Sequence, residues 1–299
     1  MSPPTTLRRG ALYAIQAAAG FSLAGALIKA ASAELPNEVI VFARCAVGLL
    51  ALLPWVLRTG VRTAVATRRW RGHLLRAGFG VCAMYCFFYA IAHLNLAEAM
   101  LLTYSTPLWI PFIAWAWIGE RPPWLIWPAS LIGMLGIALI VQPGGHPVDP
   151  QAGMVGAASG LLAACAMVGI RRISDTEPAA RIVFYFGLLS TLITAVPLLW
   201  AWQTPSPRGA LLLIGAGLFA THAQLNLTRA YGCAPAALIG PFTYLSVVFA
   251  GGIAWLLWFV TLAQDAGRGV ASRDERAVEA GVGEAGLTLD EIERIGREA

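Results

Sequence analysis

The chain has 299 residues, of which 58% are hydrophobic and only 12% charged, and a net charge of +5. That is about half the charged content of a soluble domain, and the apolar runs reach bilayer-spanning length, so a water-soluble globular protein is excluded. The excess of positive charge sits in short segments between those runs, where it sets membrane orientation, and so gives no case for nucleic-acid binding.

Nine membrane spans are predicted, roughly at 11–31, 38–57, 74–93, 98–118, 124–141, 152–170, 181–202, 209–228 and 234–259. Residues 1–10 form a short N-terminus bearing Arg8 and Arg9, and the first span, with Gln16 and Lys29, is too long and too polar for a cleaved signal. Glu34-Leu35-Pro36-Asn37-Glu38 leads into the second span, which carries Arg44. The third holds Tyr85 and Tyr89 four residues apart, hence on one helical face. The fourth contains Tyr104 and is interrupted by Pro107 and Pro111 before Gly119-Glu120-Arg121-Pro122 closes it. A connector at 142–151 separates the fifth and sixth spans. The eighth carries His222, Gln224 and Asn226; the ninth is interrupted at Gly240-Pro241, ahead of Tyr244. From 260 to 299 the chain is a polar, soluble tail.

Residues 89–120 align without a gap to 229–260, with 7 of 32 positions identical, including Thr103-Tyr104 with Thr243-Tyr244 and Ile113-Ala114-Trp115 with Ile253-Ala254-Trp255. About three identities would be expected by chance for such a composition, so the chain is internally duplicated. The duplicated unit holds five spans, an odd number, so the second copy enters the membrane from the opposite side. The fold class expected is an all-α polytopic membrane protein, an inverted repeat of two five-helix units, with the first at 11–141 and the second at 152–259. A substrate site in such folds lies near the midplane between the halves. The second unit lacks its last helix, because the window 264–281, which corresponds to the fifth span, holds Asp265, Arg268, Arg273, Asp274, Glu275, Arg276 and Glu279. At about 2.5–3.5 kcal/mol per charge at a helix centre, that segment does not span.

Arginines fix the orientation. With the N-terminus cytoplasmic, one side carries Arg8, Arg9, Arg58, Arg62, Arg68, Arg69, Arg71, Arg76, Arg121, Arg171, Arg172, Arg181 and Arg229, against Arg208 alone on the other before the tail. The location expected is the inner membrane of a bacterium.

Gln224, Arg229-Ala230-Tyr231, Ala234-Pro235-Ala236-Ala237 and Pro241-Phe242-Thr243-Tyr244 resemble the second EamA repeat of the drug/metabolite transporter superfamily. Arg44, Tyr104-Ser105-Thr106-Pro107-Leu108 and Gly119-Glu120-Arg121-Pro122 are similar to the first, and together the resemblance covers residues 11–258. It implies ten helices around a central cavity, both termini cytoplasmic, and secondary transport of a small organic metabolite or drug-like solute by alternating access. The chain departs from that pattern after Trp258, where a second Gly-Glu and a tenth helix would stand. A shifted reading frame that leaves the carrier inactive, a true nine-helix form, a subunit that pairs with another membrane protein and a homodimer that shares helices are the accounts of that departure.

Candidate substrate contacts are Lys29, Arg44, Tyr85, Tyr89, Tyr104, His222, Gln224 and Tyr244, since polar groups inside spans carry a desolvation cost that function can justify. Lys29 and Arg44 have snorkelling to the interface as their alternative, Arg44 also an ion pair with Glu34, Glu38 or Glu98 on the same outer side, the tyrosines packing, and His222 an interhelical hydrogen bond. Pro107, Pro111, Gly240 and Pro241 are candidate hinges or simple packing kinks. No catalytic group is expected: the predicted spans contain no aspartate, and Cys45, Cys82, Cys86, Cys165 and Cys233 lie in or at the ends of spans as small hydrophobes without a ligand set. The chain therefore reads as no enzyme, with no cofactor and no metal, and its partners as a small-molecule substrate and the lipid bilayer.

Overall fold

A computed structural model describes residues 4–94, 96–141, 149–253 and 255–256. The tail at 260–299 and most of the connector lie outside the described residues. The chain divides into Met1–Gly251 and Gly252–Ala299, and the architecture below is that of the first part.

All regular structure among the described residues is helical: α1 (Pro4–Ala31), α2 (Asn37–Ala51), α3 (Leu53–Thr59), α4 (Val61–Val65), α5 (Trp70–His93), α6 (Leu96–Thr103), α7 (Thr106–Ile118), α8 (Ile126–Val141), α9 (Pro150–Ile173), α10 (Ala179–Ala195), α11 (Leu198–Ala201), α12 (Pro207–Cys233), α13 (Ala236–Ile239) and a 3-10 turn, Gly240–Tyr244. Six segments are long and apolar enough to cross a bilayer: Thr6–Ala31, Asn37–Thr59, Ala99–Ile118, Pro150–Ile173, Pro207–Cys233 and Ala236–Ile253. Ile126–Gly136 and Ala179–Ala195 are apolar but shorter, and α5 has the length, 24 residues, but carries His73, Arg76 and His93. The protein is thus a polytopic helical membrane protein. Its surface agrees, since Leu139, Leu199, Leu211, Trp124 and Trp200 are all more than two thirds exposed, as side chains facing lipid should be.

Lipid tails are as apolar as leucine, so the helices are held together by close fit. The most extensive pairing, α1 against α12, is built from small residues, with Ala14, Ala17, Ala18 and Ala24 buried on α1 and Ala216 and Ala223 on α12. A Cβ on Gly20 would stand 3.0 Å from that of Ala223. On the far side of α12, a Cβ on Gly217 would come within 2.6 Å of the Val47 side chain on α2.

Gly119 ends α7 in the left-handed conformation, φ 71°, which glycine adopts without steric cost. The turn aims Glu120 back across the bundle. Its Oε1 accepts from Arg171 Nε at 2.7 Å at the end of α9, and its Oε2 from the Ala236 backbone N–H at 3.0 Å, the first of α13. Arg171 also reaches the Tyr231 carbonyl in α12 at 3.4 Å.

Gly217→Ala is expected to lower stability by about 2 kcal/mol through overpacking against Val47. The measurement is thermal unfolding of the purified protein in detergent, and an unchanged midpoint would show that α2 and α12 yield where the packing says they cannot.

Candidate solute-binding site

The site begins with two broken helices. Pro107 has no N–H to give the Thr103 carbonyl, and the chain parts at Tyr104-Ser105 between α6 and α7. The freed carbonyl is satisfied by the hydroxyl of Thr106 at 2.7 Å, which also reaches the Gly160 carbonyl at 3.2 Å. Thr103 Oγ1 lies 2.8 Å from Ser159 Oγ on α9. Past α13, Gly240-Pro241 tightens the backbone into the 3-10 turn, where the Thr243 hydroxyl donates to the Gly240 carbonyl at 2.8 Å and that of Ser246 to the Thr243 carbonyl at 2.6 Å.

Between the two breaks lies a cavity of about 240 Å³. Thr103, Tyr104 and Thr106 line it from one break, Phe242, Thr243 and Ser246 from the other. Alanines 14, 17 and 18 of α1, with Met167 of α9 and Leu227 of α12, complete an apolar floor. The breaks touch through Ser246 Oγ, 3.4 Å from Tyr104 Oη, and Ser22 of α1 donates to the Ser246 carbonyl at 2.8 Å. The site can hold a small, largely apolar body and offer it hydroxyls.

Of the residues singled out in the sequence, Tyr104 is on this cavity and Pro107, Pro111, Gly240 and Pro241 are in the segments that frame it. Tyr244 turns away: its hydroxyl donates to the Ser130 carbonyl of α8 at 3.2 Å, and its ring lies over Gly133. Arg44 and Gln224 come together elsewhere, on a recess of about 30 Å³ between α2, α10 and α12, with Cys45, Phe186 and Thr221. Tyr85 walls a surface recess with Leu192, Ile193 and Val196, while Tyr89 stacks on His93 at 4.1 Å. Lys29 is exposed in the last turn of α1. His222 is exposed on α12, its Nε2 2.9 Å from the Asn226 amide nitrogen, whose oxygen faces Arg229 at 3.4 Å.

Two joints close the bundle at its ends. At the arginine-rich end, buried Glu177, just ahead of α10, accepts from Thr67 at 2.6 Å and from Arg181 at 2.7 Å, with His73 Nε2 at 3.9 Å. Arg181 also donates to the Ala64 carbonyl at 3.1 Å and the Thr63 carbonyl at 2.8 Å. Tyr185 stacks on His73 and donates to the Val65 carbonyl at 2.6 Å. At the opposite end, Glu34, ahead of α2, accepts from Ser206 at 2.9 Å, and its carbonyl from Gln203 at 3.0 Å. Here the groups are exposed to solvent. Sequence reading passed over Thr103, Thr106, Thr243, Ser246 and Glu177; the duplicated Thr-Tyr pair beside each proline was the available signal for the first four.

A lipid-facing helical bundle around a hydroxyl-lined cavity makes this a polytopic membrane protein with an internal space of small-solute size. Residues 8–142 match the EamA-like transporter family. The pseudopaline exporter CntI of Pseudomonas aeruginosa (strain UCBPP-PA14) is 35% identical over 254 residues, covering 84% of this chain and 88% of that protein. The riboflavin transporter of Vibrio cholerae serotype O1 is 25% identical, covering 84% of this chain and 85% of that one. A solved crystal structure shares the fold, with a TM-score of 0.73 at 19% identity over 84% of this chain and 88% of the other. The chain belongs to the EamA-like transporter family.

Glu177→Gln breaks a buried charge pair and is expected to cost about 3 kcal/mol, read as a clear fall in the detergent unfolding midpoint. Glu34→Gln, at the exposed joint, should leave that midpoint within error. Equal losses at both ends would mean that the burial of Glu177 is not what sets its contribution.

Proposed function

We propose that the protein is a secondary carrier that moves a small organic metabolite across the inner membrane of a bacterium by alternating access. The observation that carries this reading is the cavity of about 240 Å³ where the two proline-broken spans meet. Its mostly apolar wall with a few convergent hydroxyls is the chemistry of a small-solute pocket. The joints at the two ends suit a device that opens one side at a time, because each ties segments of the two halves together.

The architecture proposed is the inverted repeat of two five-helix units with the second incomplete, and nine spans. Supporting it, α2 and α10 both open on an extended proline, Pro36 at φ −60°, ψ 151° and Pro178 at φ −65°, ψ 145°, and each cap is preceded by the glutamate-bearing joint. The Thr103-Tyr104 and Thr243-Tyr244 pairs stand at corresponding breaks. Orientation with a cytoplasmic N-terminus is favoured by the arginines, four of which, Arg68, Arg69, Arg71 and Arg172, line one recess at the end bearing Glu177. A small organic cargo agrees with relatives that are named for pseudopaline and riboflavin.

Reconstitution tests it. Liposomes containing the purified chain should show counterflow of at least one solute from a labelled panel of amino acids, nucleosides, flavins and organic acids. Ala163→Trp, which fills the cavity from α9, should abolish that flux while the unfolding midpoint is kept. No counterflow for any class, or flux that survives the filled cavity, would sink the reading.

A further inference from the structure

Arg76 is buried in the bundle without a charge partner among the described residues. It is 3% exposed, its Nε has no hydrogen-bond partner, and no carboxylate lies within ion-pair distance among the described residues. The sequence places it with the orienting arginines at the start of α5, where an arginine ordinarily snorkels out to the interface. The structure sends it the other way. Its Nη1 lies over Gly80, one turn further into the membrane, where a Cβ would stand 2.6 Å from it. That puts the charge about 15 Å into a helix about 36 Å long.

The guanidinium rests on the ring of Phe186 at 4.1 Å. A cation over an aromatic face recovers only part of the desolvation cost. The same Phe186 walls the recess of about 30 Å³ that Arg44, Thr221 and Gln224 line. Arg44, half-buried on α2, likewise has no carboxylate partner among the described residues, and its charge acts on Arg76. Tyr231 of α12 is likewise buried, and its hydroxyl has no hydrogen-bond partner. Phe186 thus borders both the buried guanidinium of Arg76 and the recess lined by half-buried Arg44, and neither arginine has a carboxylate partner among the described residues. A buried charge in that condition calls for a counter-ion that the chain does not supply.

We propose that Arg44 and Arg76, with Gln224, form an anion site for the carboxylate of the carried solute, so that the protein selects carboxylate-bearing organic anions. The planar guanidinium fork matches a carboxylate in two parallel hydrogen bonds, and the recess has room for a group of that size. α12 is a wall of both this recess, through Gln224, and the 240 Å³ cavity, through Leu227. The inference rests on reading the chain as a solute carrier and names the class of its cargo.

The test reads binding without transport. The purified full chain in detergent is unfolded thermally with succinate or citrate, and with succinamide as the uncharged counterpart, at ionic strength matched by sodium chloride. Both anions should raise the midpoint and succinamide should not. Arg76→Gln should unfold at the same or a higher temperature without ligand, because it removes an unpaired buried charge, yet its apparent affinity for succinate should fall about tenfold or more. Arg44→Gln should lose affinity likewise, which keeps the test decisive should Arg76→Gln fail to fold. Absence of any carboxylate effect in the wild type, or an undiminished effect in the Arg44 variant, overturns the proposal. A chain that shows counterflow of uncharged solutes without a carboxylate shift would keep the carrier reading and lose this one; a carboxylate shift without any flux would do the reverse.

Discussion

One carboxylate, Glu120, ties α7 to both α9 and α13. Within the hydrocarbon core every backbone N–H needs a protein partner, and a span that starts afresh at Ala236 presents several such groups at its N-terminus. Glu120 meets the first of them at 3.0 Å and completes its coordination with Arg171 at 2.7 Å. The left-handed turn at Gly119 is what allows one side chain to be anchored on α7 and to serve both α9 and α13. Its negative charge lies where the dipole of a starting helix is positive, so geometry and electrostatics act in the same sense.

From that anchorage follows the placement of the broken helices. Each proline removes a backbone donor; the Thr106 hydroxyl takes the Thr103 carbonyl that Pro107 leaves free, and past Pro241 the Thr243 hydroxyl binds the Gly240 carbonyl. The same residues wall the cavity. Repair and recognition are therefore not separate features of the sequence. A hydroxyl that already holds a carbonyl keeps its lone pairs for a ligand, and its orientation is fixed before any ligand arrives.

Much of this was legible in the sequence because it is local or periodic. Apolar run length gave a helical membrane protein, and the repeated Thr-Tyr beside proline pointed to the cavity and to Tyr104. What the sequence did not tell is where side chains go when a distant helix decides. Tyr104 and Tyr244 are equivalent by alignment, yet only the second faces Gly133 and Ser130 of α8, whose missing side chain and carbonyl draw the ring aside. Arg76 reads as an interfacial arginine from its position, and only the gap over Gly80 and the ring of Phe186 turn it inward. Glu177 stands in a loop and looks solvated until α4 and α5 are folded over it. Each of these depends on packing between residues more than 50 positions apart or on a neighbour's lack of a side chain, which no window of sequence contains.

The unequal joints at the two ends carry a thermodynamic asymmetry. Separating Glu34 from Ser206 exchanges protein hydrogen bonds for water at an already wet surface. Parting the buried Glu177–Arg181 pair from Thr67 and from the α4 carbonyls strips charged groups of their partners, and they must then be hydrated. The contacts at the arginine-rich end are therefore the costlier of the two to separate. A ligand shifts the balance between conformers only by as much as it binds one better than the other. A bias of that origin sets which conformer a ligand meets first and how tightly it must bind to move the equilibrium, while the direction of any net flux is left to the gradients outside the protein.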